Sequence, residues 1–155
     1  MGTVYRLSCK KCGYKLDAGL GSSGFFHYDE QILNNVLNGK YGEEIQKLVK
    51  EKQVELITFA SSIRILIKCR DCGHFEVVPK LIIRKNNDLV EYQHKCKICG
   101  GEVESFDANA LDRISIHLFD RFIDDEKVKR NKGNIKLECP NCHEELVVMW
   151  AGTWD

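Results

Sequence analysis

The chain has 155 residues, with 23 Lys and Arg against 23 Asp and Glu, so its formal net charge is zero. That balance excludes the strongly basic footprint of a protein that grips nucleic acid over a broad surface. Hydrophobic residues make up 43% and charged residues 30%, which is globular usage, and no window reaches the ~20 apolar residues that span a bilayer. Residues 1–6 lack the shape of a signal peptide, and Arg6 stands where a myristoylation signal needs Ser or Thr.

In chain order, Val4-Tyr5-Arg6-Leu7 alternates apolar and polar residues and leads into Cys9-Lys10-Lys11-Cys12. Tyr14-Lys15-Leu16 resumes the alternation, so the pattern predicts a β-hairpin with a Cys-x-x-Cys knuckle at its tip. Gly13 follows the knuckle and permits the positive φ such a turn uses. Gly19-Leu20-Gly21-Ser22-Ser23-Gly24 then matches G-x-G-x-x-G, but a dinucleotide site needs a helix opening at the third glycine. Phe25-Phe26-His27-Tyr28 follows instead, so a flexible loop is expected, with the aromatic cluster anchoring the next helix. That helix is expected after Asp29 as N-cap, with Ile32, Leu33, Val36 and Leu37 at helical spacing and Gly39 as its stop. A second is expected over 43–52, with Ile45, Leu48 and Val49 on one face.

Ile63-Arg64-Ile65-Leu66-Ile67, then Cys69 and Cys72, Gly73, and Phe75-Glu76-Val77-Val78 repeat the hairpin pattern. Asn86-Asn87-Asp88 is a turn signal and marks a soft boundary between expected units 1–85 and 86–155. Leu89-Val90-Glu91-Tyr92 precedes Cys96 and Cys99, with Gly100 and then Val103-Glu104 beyond. A third helix is expected from Asp107 or Asn109, carrying Leu111, Ile114, Leu118, Phe119, Phe122 and Ile123, and ending among Lys127, Lys129 and Arg130. A turn over 131–134, with Gly133 as the helix stop, leads to Ile135-Lys136-Leu137, Cys139 and Cys142, and Glu145-Leu146-Val147-Val148. Trp150 and Trp154 near the C-terminus read as core or edge packing.

All eight cysteines fall in these four pairs: Cys9, Cys12, Cys69, Cys72, Cys96, Cys99, Cys139 and Cys142. Paired thiols without an export signal point to tetrathiolate metal sites in a reducing cytoplasm. Four knuckles make two Cys₄ sites, each expected to hold one structural Zn²⁺. Sequential pairing is expected: Cys9/Cys12 with Cys69/Cys72, and Cys96/Cys99 with Cys139/Cys142. The alternative is nested, Cys69/Cys72 with Cys96/Cys99 and the outer pairs together; the short interval from Cys72 to Cys96 argues for it.

His74, His94 and His143 lie beside knuckles, but eight thiolates leave them no vacant ligand position, and His143 stands where the other knuckles carry glycine. Lys10, Lys11, Lys15, Lys68, Arg70, Lys95 and Lys97 crowd the knuckles. They either contact phosphate or screen zinc–thiolate centres of net charge about −2 each. No catalytic constellation emerges: Ser61-Ser62 lacks an identifiable His and Asp arrangement, and neither H-E-x-x-H nor H-x-E…C-x-x-C occurs.

Cys9-Lys10-Lys11-Cys12-Gly13-Tyr14, the 21–25 loop, Gly39-Lys40-Tyr41-Gly42, residues 69–73, His94-Lys95-Cys96, Cys99-Gly100-Gly101, Cys139-Pro140 with Cys142, and Trp154-Asp155 resemble small bacterial zinc-ribbon proteins with four C-x-x-C knuckles. The chain departs from them at His143, where glycine is expected, and in a longer interval between the third and fourth knuckles. The resemblance implies zinc ligation by the eight cysteines and implies no activity. The expected fold is α+β: two metal-stabilised zinc ribbons of antiparallel β-hairpins with helical insertions. The expected role is a non-enzymatic adaptor that binds protein or nucleic acid; the alternative is a thiol-based redox or zinc sensor.

Overall fold

The computed structural model describes residues 2–22, 28–115 and 135–154. Strand β1 (Gly2–Ser8) turns through the first knuckle into β2 (Lys15–Ser22), pairing from Gly2↔Gly21 to Ser8↔Lys15. Strand β4 (Ile63–Cys69) turns through the second knuckle into β5 (Phe75–Pro79). These two hairpins form as the alternation predicts, because both partners are adjacent in sequence and one face of each meets the core.

The other two knuckles do not sit at the tips of such hairpins. Each is closed by a single bridge, Lys95↔Glu102 and Glu138↔Glu145. The strand after each one instead joins a distant hairpin. Strand β8 (Val103–Phe106) pairs antiparallel with β4 from Leu66↔Phe106 to Cys69↔Val103. Strand β9 (Val147–Trp154) pairs antiparallel with β1 from Gly2↔Trp154 to Ser8↔Val147, with a register shift at Val4/Tyr5. Two copies of one arrangement result, a knuckle hairpin plus a strand delivered by a second knuckle. One copy is β2-β1-β9 and the other is β5-β4-β8. Bonds at Gly21↔Arg64 and Ser22↔Ile63 join β2 to β4 and fuse the copies into one six-stranded sheet.

The second copy lies wholly within the chain interval that separates the two parts of the first. Helix α1 (Tyr28–Leu37), α2 (Glu43–Lys50), the short strand β3 (Glu55–Leu56) and a 3₁₀ turn (Phe59–Ser61) precede β4. Strands β6 (Ile82–Lys85) and β7 (Asp88–Glu91) form a hairpin whose turn is Asn86-Asn87, both at positive φ. The residues Leu89–Glu91, expected to enter the third knuckle as a hairpin arm, therefore pair backward with β6, which lies between β7 and β3 in a separate sheet. The position of the soft boundary at 85/86 falls at this turn. Helix α3 (Ala108–Ile114) follows β8, and the Asp107 side chain caps it by accepting from the Ala110 N–H at 2.8 Å. The helix is shorter than expected: it ends at Ile114, where Ser115 turns extended, while residues 116–134, with the expected turn at Gly133, and the Phe25-Phe26 cluster lie outside the described residues.

The main core packs β1, β2 and β9 against α3, with Tyr5, Leu7, Leu20, Leu111, Leu137 and Val148 buried together with Cys9 and Cys139. The Tyr5 hydroxyl lies 3.0 Å from both the Ala108 carbonyl and Asp112 Oδ1, which fixes α3 over β1. Burial first, then the neighbouring Asp112 carboxylate, drives the Tyr5 pKa upward, so the phenol stays a donor. A second core joins α1, α2 and β6 through Ile32, Val36, Ile45, Val54, Leu81 and Ile83.

The glycine-rich segment is not the loop expected from its composition. Gly19 to Ser22 belong to β2. A Cβ on Gly19 would lie 3.3 Å from Trp154 Nε1, and one on Gly2 would overlap the same indole. The glycines thus clear a bed for Trp154, whose ring also stacks 4.8 Å beneath the Arg64 guanidinium.

Candidate metal centres

The structure gathers the eight cysteines into two groups, and the pairing is nested. Cys9, Cys12, Cys139 and Cys142 form one cluster, and Cys69, Cys72, Cys96 and Cys99 form the other. The sequential pairing expected from the sequence is corrected by this result. Its physical reason is strand pairing: β9 docks on β1 and carries the fourth knuckle to the first, while β8 docks on β4 and carries the third to the second.

All four knuckles share one backbone geometry. The N–H of the first cysteine donates to the carbonyl five residues on, in Cys9→Tyr14, Cys69→His74, Cys96→Gly101 and Cys139→Glu144, at 2.8–2.9 Å. The residue after the second cysteine donates back to the first cysteine's carbonyl at 2.8–3.1 Å. That residue is left-handed in every case: Gly13 at φ 76, Gly73 at 74, Gly100 at 73 and His143 at 63. His143 therefore occupies a glycine position, a conformation that costs a side-chain-bearing residue about 1–2 kcal/mol.

Within each cluster the sulfurs lie within 4.8 Å of one another. Cross-knuckle distances are 3.4 Å for Cys9–Cys142, 3.5 Å for Cys12–Cys139, 3.4 Å for Cys69–Cys99 and 3.6 Å for Cys72–Cys96. A tetrahedral ion with bonds of about 2.3 Å sets its four sulfurs about 3.8 Å apart. All eight cysteines are free thiols. The first cysteine of every knuckle is buried, whereas Cys12, Cys72 and Cys99 are exposed and Cys142 is half-buried.

The electrostatics ask for a cation. The Cys9 thiol is brought down to about 7, chiefly by the Cys12 backbone N–H. For Cys69, burial is the largest single influence and raises the pKa, but N–H groups of Cys72 and Asp71 with neighbouring thiols outweigh it and leave about 7. Cys99 and Cys142 go the other way. Each receives a backbone N–H, from Gly101 and Glu144 respectively, that lowers its pKa; the three neighbouring thiols and desolvation overcome this and push both to about 12. A bare cluster at neutral pH thus resists its last ionisation, and a bound divalent cation relieves that resistance. Four sulfur donors with no oxygen or nitrogen ligand select a soft or borderline metal.

Three of the seven knuckle cations are engaged with carboxylates. Lys11 bridges to Glu144 at 2.9 Å across the first site, Lys97 to Glu76 at 2.7 Å and Arg70 to Glu102 at 3.9 Å at the second. The flanking histidines are not gathered into either cluster. His94 is buried; its Nε2 lies 2.8 Å from the Pro79 carbonyl, and Tyr41 and Tyr92 meet its ring edge-on. Because a carbonyl only accepts, Nε2 carries the proton, and burial lowers the ring's pKa toward the neutral form.

With the geometry in place, the chain was compared with known proteins. No protein-family model, curated protein or solved structure matches it. The metal reading therefore stands on the eight thiols themselves. Sequence reasoning had named all eight, but it missed the long-range contacts that position their strands, the Tyr5 hydroxyl on α3 and the Trp154 indole against Gly2 and Gly19. Among the described residues no helix is long and apolar enough to cross a membrane.

Proposed function

We propose that each cluster holds one Zn²⁺ and that the chain is a structural zinc protein built from two zinc ribbons, one inserted in the other. The observation that carries this is the convergence of four thiols at each of two points, with no other metal-ligating group gathered there among the described residues. A closed tetrathiolate ion has no open position for substrate, so its contribution is to folding. The ions cross-link knuckles whose strands pair over long sequence separations, in a reducing cytoplasm that keeps the thiols free. Elemental analysis of gently purified protein tests the reading. Two zinc equivalents are expected, with unfolding on chelation; less than one equivalent with a chelation-resistant fold would overturn it.

The ribbons serve as the frame of an adaptor, and a protein partner fits better than nucleic acid. Three of the seven knuckle cations, Lys11, Arg70 and Lys97, are paired with carboxylates rather than presented to phosphate, and the formal net charge of the chain is zero. Large apolar side chains stand out instead: Ile98 at a knuckle tip is 64% exposed, and Leu89 on β7 is 59% exposed. Replacing both with Asp should abolish partner capture while zinc content is unchanged, and gel shifts with mixed DNA and RNA should be negative.

The exposure of Cys12, Cys72 and Cys99 favours one second reading, a thiol-based redox or zinc sensor. Under it, mild peroxide releases zinc and a thiol reductant restores it. Zinc retained under that treatment removes this reading.

A further inference from the structure

The eight cysteines do not meet solvent equally. At the inner site, made by Cys69, Cys72, Cys96 and Cys99, one thiol of each knuckle is exposed: Cys72 on one side and Cys99 on the other. At the outer site, made by Cys9, Cys12, Cys139 and Cys142, Cys12 is exposed but its counterpart Cys142 is half-buried. The inner site is therefore open to a small reagent from both of its knuckles.

A neighbouring charge separates the sites in the same sense. Lys11 stands beside the outer thiols: Glu144 first, then Cys142 and Cys9, favour its charged form. A cation beside a thiolate draws electron density from the sulfur and makes it a weaker nucleophile. At the same place in its knuckle the inner site carries Asp71, whose carboxylate lies against Gly101. The inner cations Arg70 and Lys97 are held by Glu102 and Glu76.

Each exposed inner thiol also has a buried one within reach on the facing knuckle. Cys99 Sγ lies 3.4 Å from Cys69 Sγ, and Cys72 Sγ lies 3.6 Å from Cys96 Sγ. Both partners, Cys69 and Cys96, are buried. An accessible thiolate with a second sulfur beside it is the arrangement in which a first oxidation is resolved as a disulfide instead of continuing to irreversible acids.

We propose that the inner site is a peroxide-responsive switch: a hydroperoxide oxidises Cys72 or Cys99, the facing buried cysteine closes a disulfide between the knuckles, and the inner zinc leaves while the outer zinc stays. The proposal rests on the zinc reading. The exposed thiolate attacks the peroxide O–O bond, which breaks; an S–OH group forms and hydroxide departs. The facing thiolate then attacks that sulfur, the S–S bond forms, the S–O bond breaks and a second hydroxide departs. The sulfurs together lose two electrons, and the peroxide that gains them ends as water once the hydroxides are protonated. The two thiolates left cannot close a tetrahedral site around the ion. The new bond takes over the ion's link between the second and third knuckles, so β8 stays paired with β4.

The test treats the full zinc-loaded chain with equimolar hydrogen peroxide. Released zinc is read with a colorimetric chelator, and the thiols are mapped by differential alkylation and mass spectrometry. Loss of one of the two zinc equivalents is expected, with Cys69–Cys99 or Cys72–Cys96 linked and all four outer cysteines still carried as thiols. Amide NMR shifts of β4 and β8 should keep their dispersion, and dithiothreitol with added zinc should restore the lost equivalent. Fewer than two zinc equivalents before oxidant would sink the zinc reading and the switch with it. Two equivalents at the start, followed by no release, by release of both together, by release from the outer site first, or by a disulfide within one knuckle, would overturn the switch alone.

Discussion

The two candidate metal sites use one knuckle geometry and close it with different residues. Across the outer site, Lys11 reaches Glu144 at 2.9 Å. At the inner site the equivalent positions, third in the one knuckle and fifth after the first cysteine of the other, are Asp71 and Gly101. No ion pair forms between them, and a Cβ on Gly101 would overlap the Asp71 carboxylate and lie 3.2 Å from Cys69 Sγ. An ion pair joins these positions in the outer site; in the inner site bare backbone closes up at them, and Arg70–Glu102 and Lys97–Glu76 bridge the knuckles from neighbouring positions instead. The sites also differ in reach. The outer one joins sulfurs 127 residues apart in Cys12 and Cys139, the inner one 24 apart in Cys72 and Cys96. On loop-closure entropy alone, the outer cross-link restricts the unfolded chain by about 1.5 kcal/mol more.

That contrast breaks most sharply if a site is removed. Cys139→Ser should release one zinc and destabilise the fold by several kcal/mol, on the order of 5, because Cys139 is buried in the main core and its knuckle delivers β9. Cys96→Ser should also release one zinc but lower the melting temperature less. Metal analysis with thermal unfolding of the two variants reads both; equal losses would erase the distinction in reach. Next in size is Gly101→Ala, expected to cost about 1–3 kcal/mol and to weaken zinc at the inner site alone. Glu144→Ala, at a pair more than half exposed on both sides, should cost less than Gly101→Ala, since water screens the attraction. Chelator competition on the two variants separates crowding from charge.

Acid should act on both sites alike. In the metal-free protein Cys9 and Cys69 sit near 7, below the ordinary thiol value of 9. Their ionised forms contribute stability that is present above pH 9 and is lost as pH falls through about 7. Zinc affinity, which needs those thiolates, should drop steeply across that window, as competition titrations on either side of neutrality would show. The smallest effect expected is His143→Gly. Relief of the left-handed backbone outweighs glycine's extra freedom in the unfolded chain, for a gain of about 0.5–1 kcal/mol and no change in zinc content.

The sequence made the local parts of this architecture legible. Alternation around Cys9 and Cys69 predicted β1–β2 and β4–β5, because each hairpin's register is set by its own turn. Asp107, a candidate helix start, does cap α3, and the glycine register after each knuckle singled out His143 before its φ was known. The pairing of knuckles was hidden because it depends on β9 meeting β1 and β8 meeting β4, contacts that no short window encodes. The one available signal was the short interval from Cys72 to Cys96. Leu89–Glu91 was misassigned to the third knuckle since an alternating strand has two edges, and Asn86-Asn87 turns it back on β6. Gly19 looked like a loop residue because the indole that needs its emptiness lies more than a hundred residues away.

Anomalous diffraction at the zinc edge tests the nested arrangement most directly. Two peaks are predicted, one at the centre of Cys9, Cys12, Cys139 and Cys142 and one at the centre of Cys69, Cys72, Cys96 and Cys99. A peak shared between the Cys9/Cys12 and Cys69/Cys72 knuckles, or no peak beside intact thiols, would contradict it.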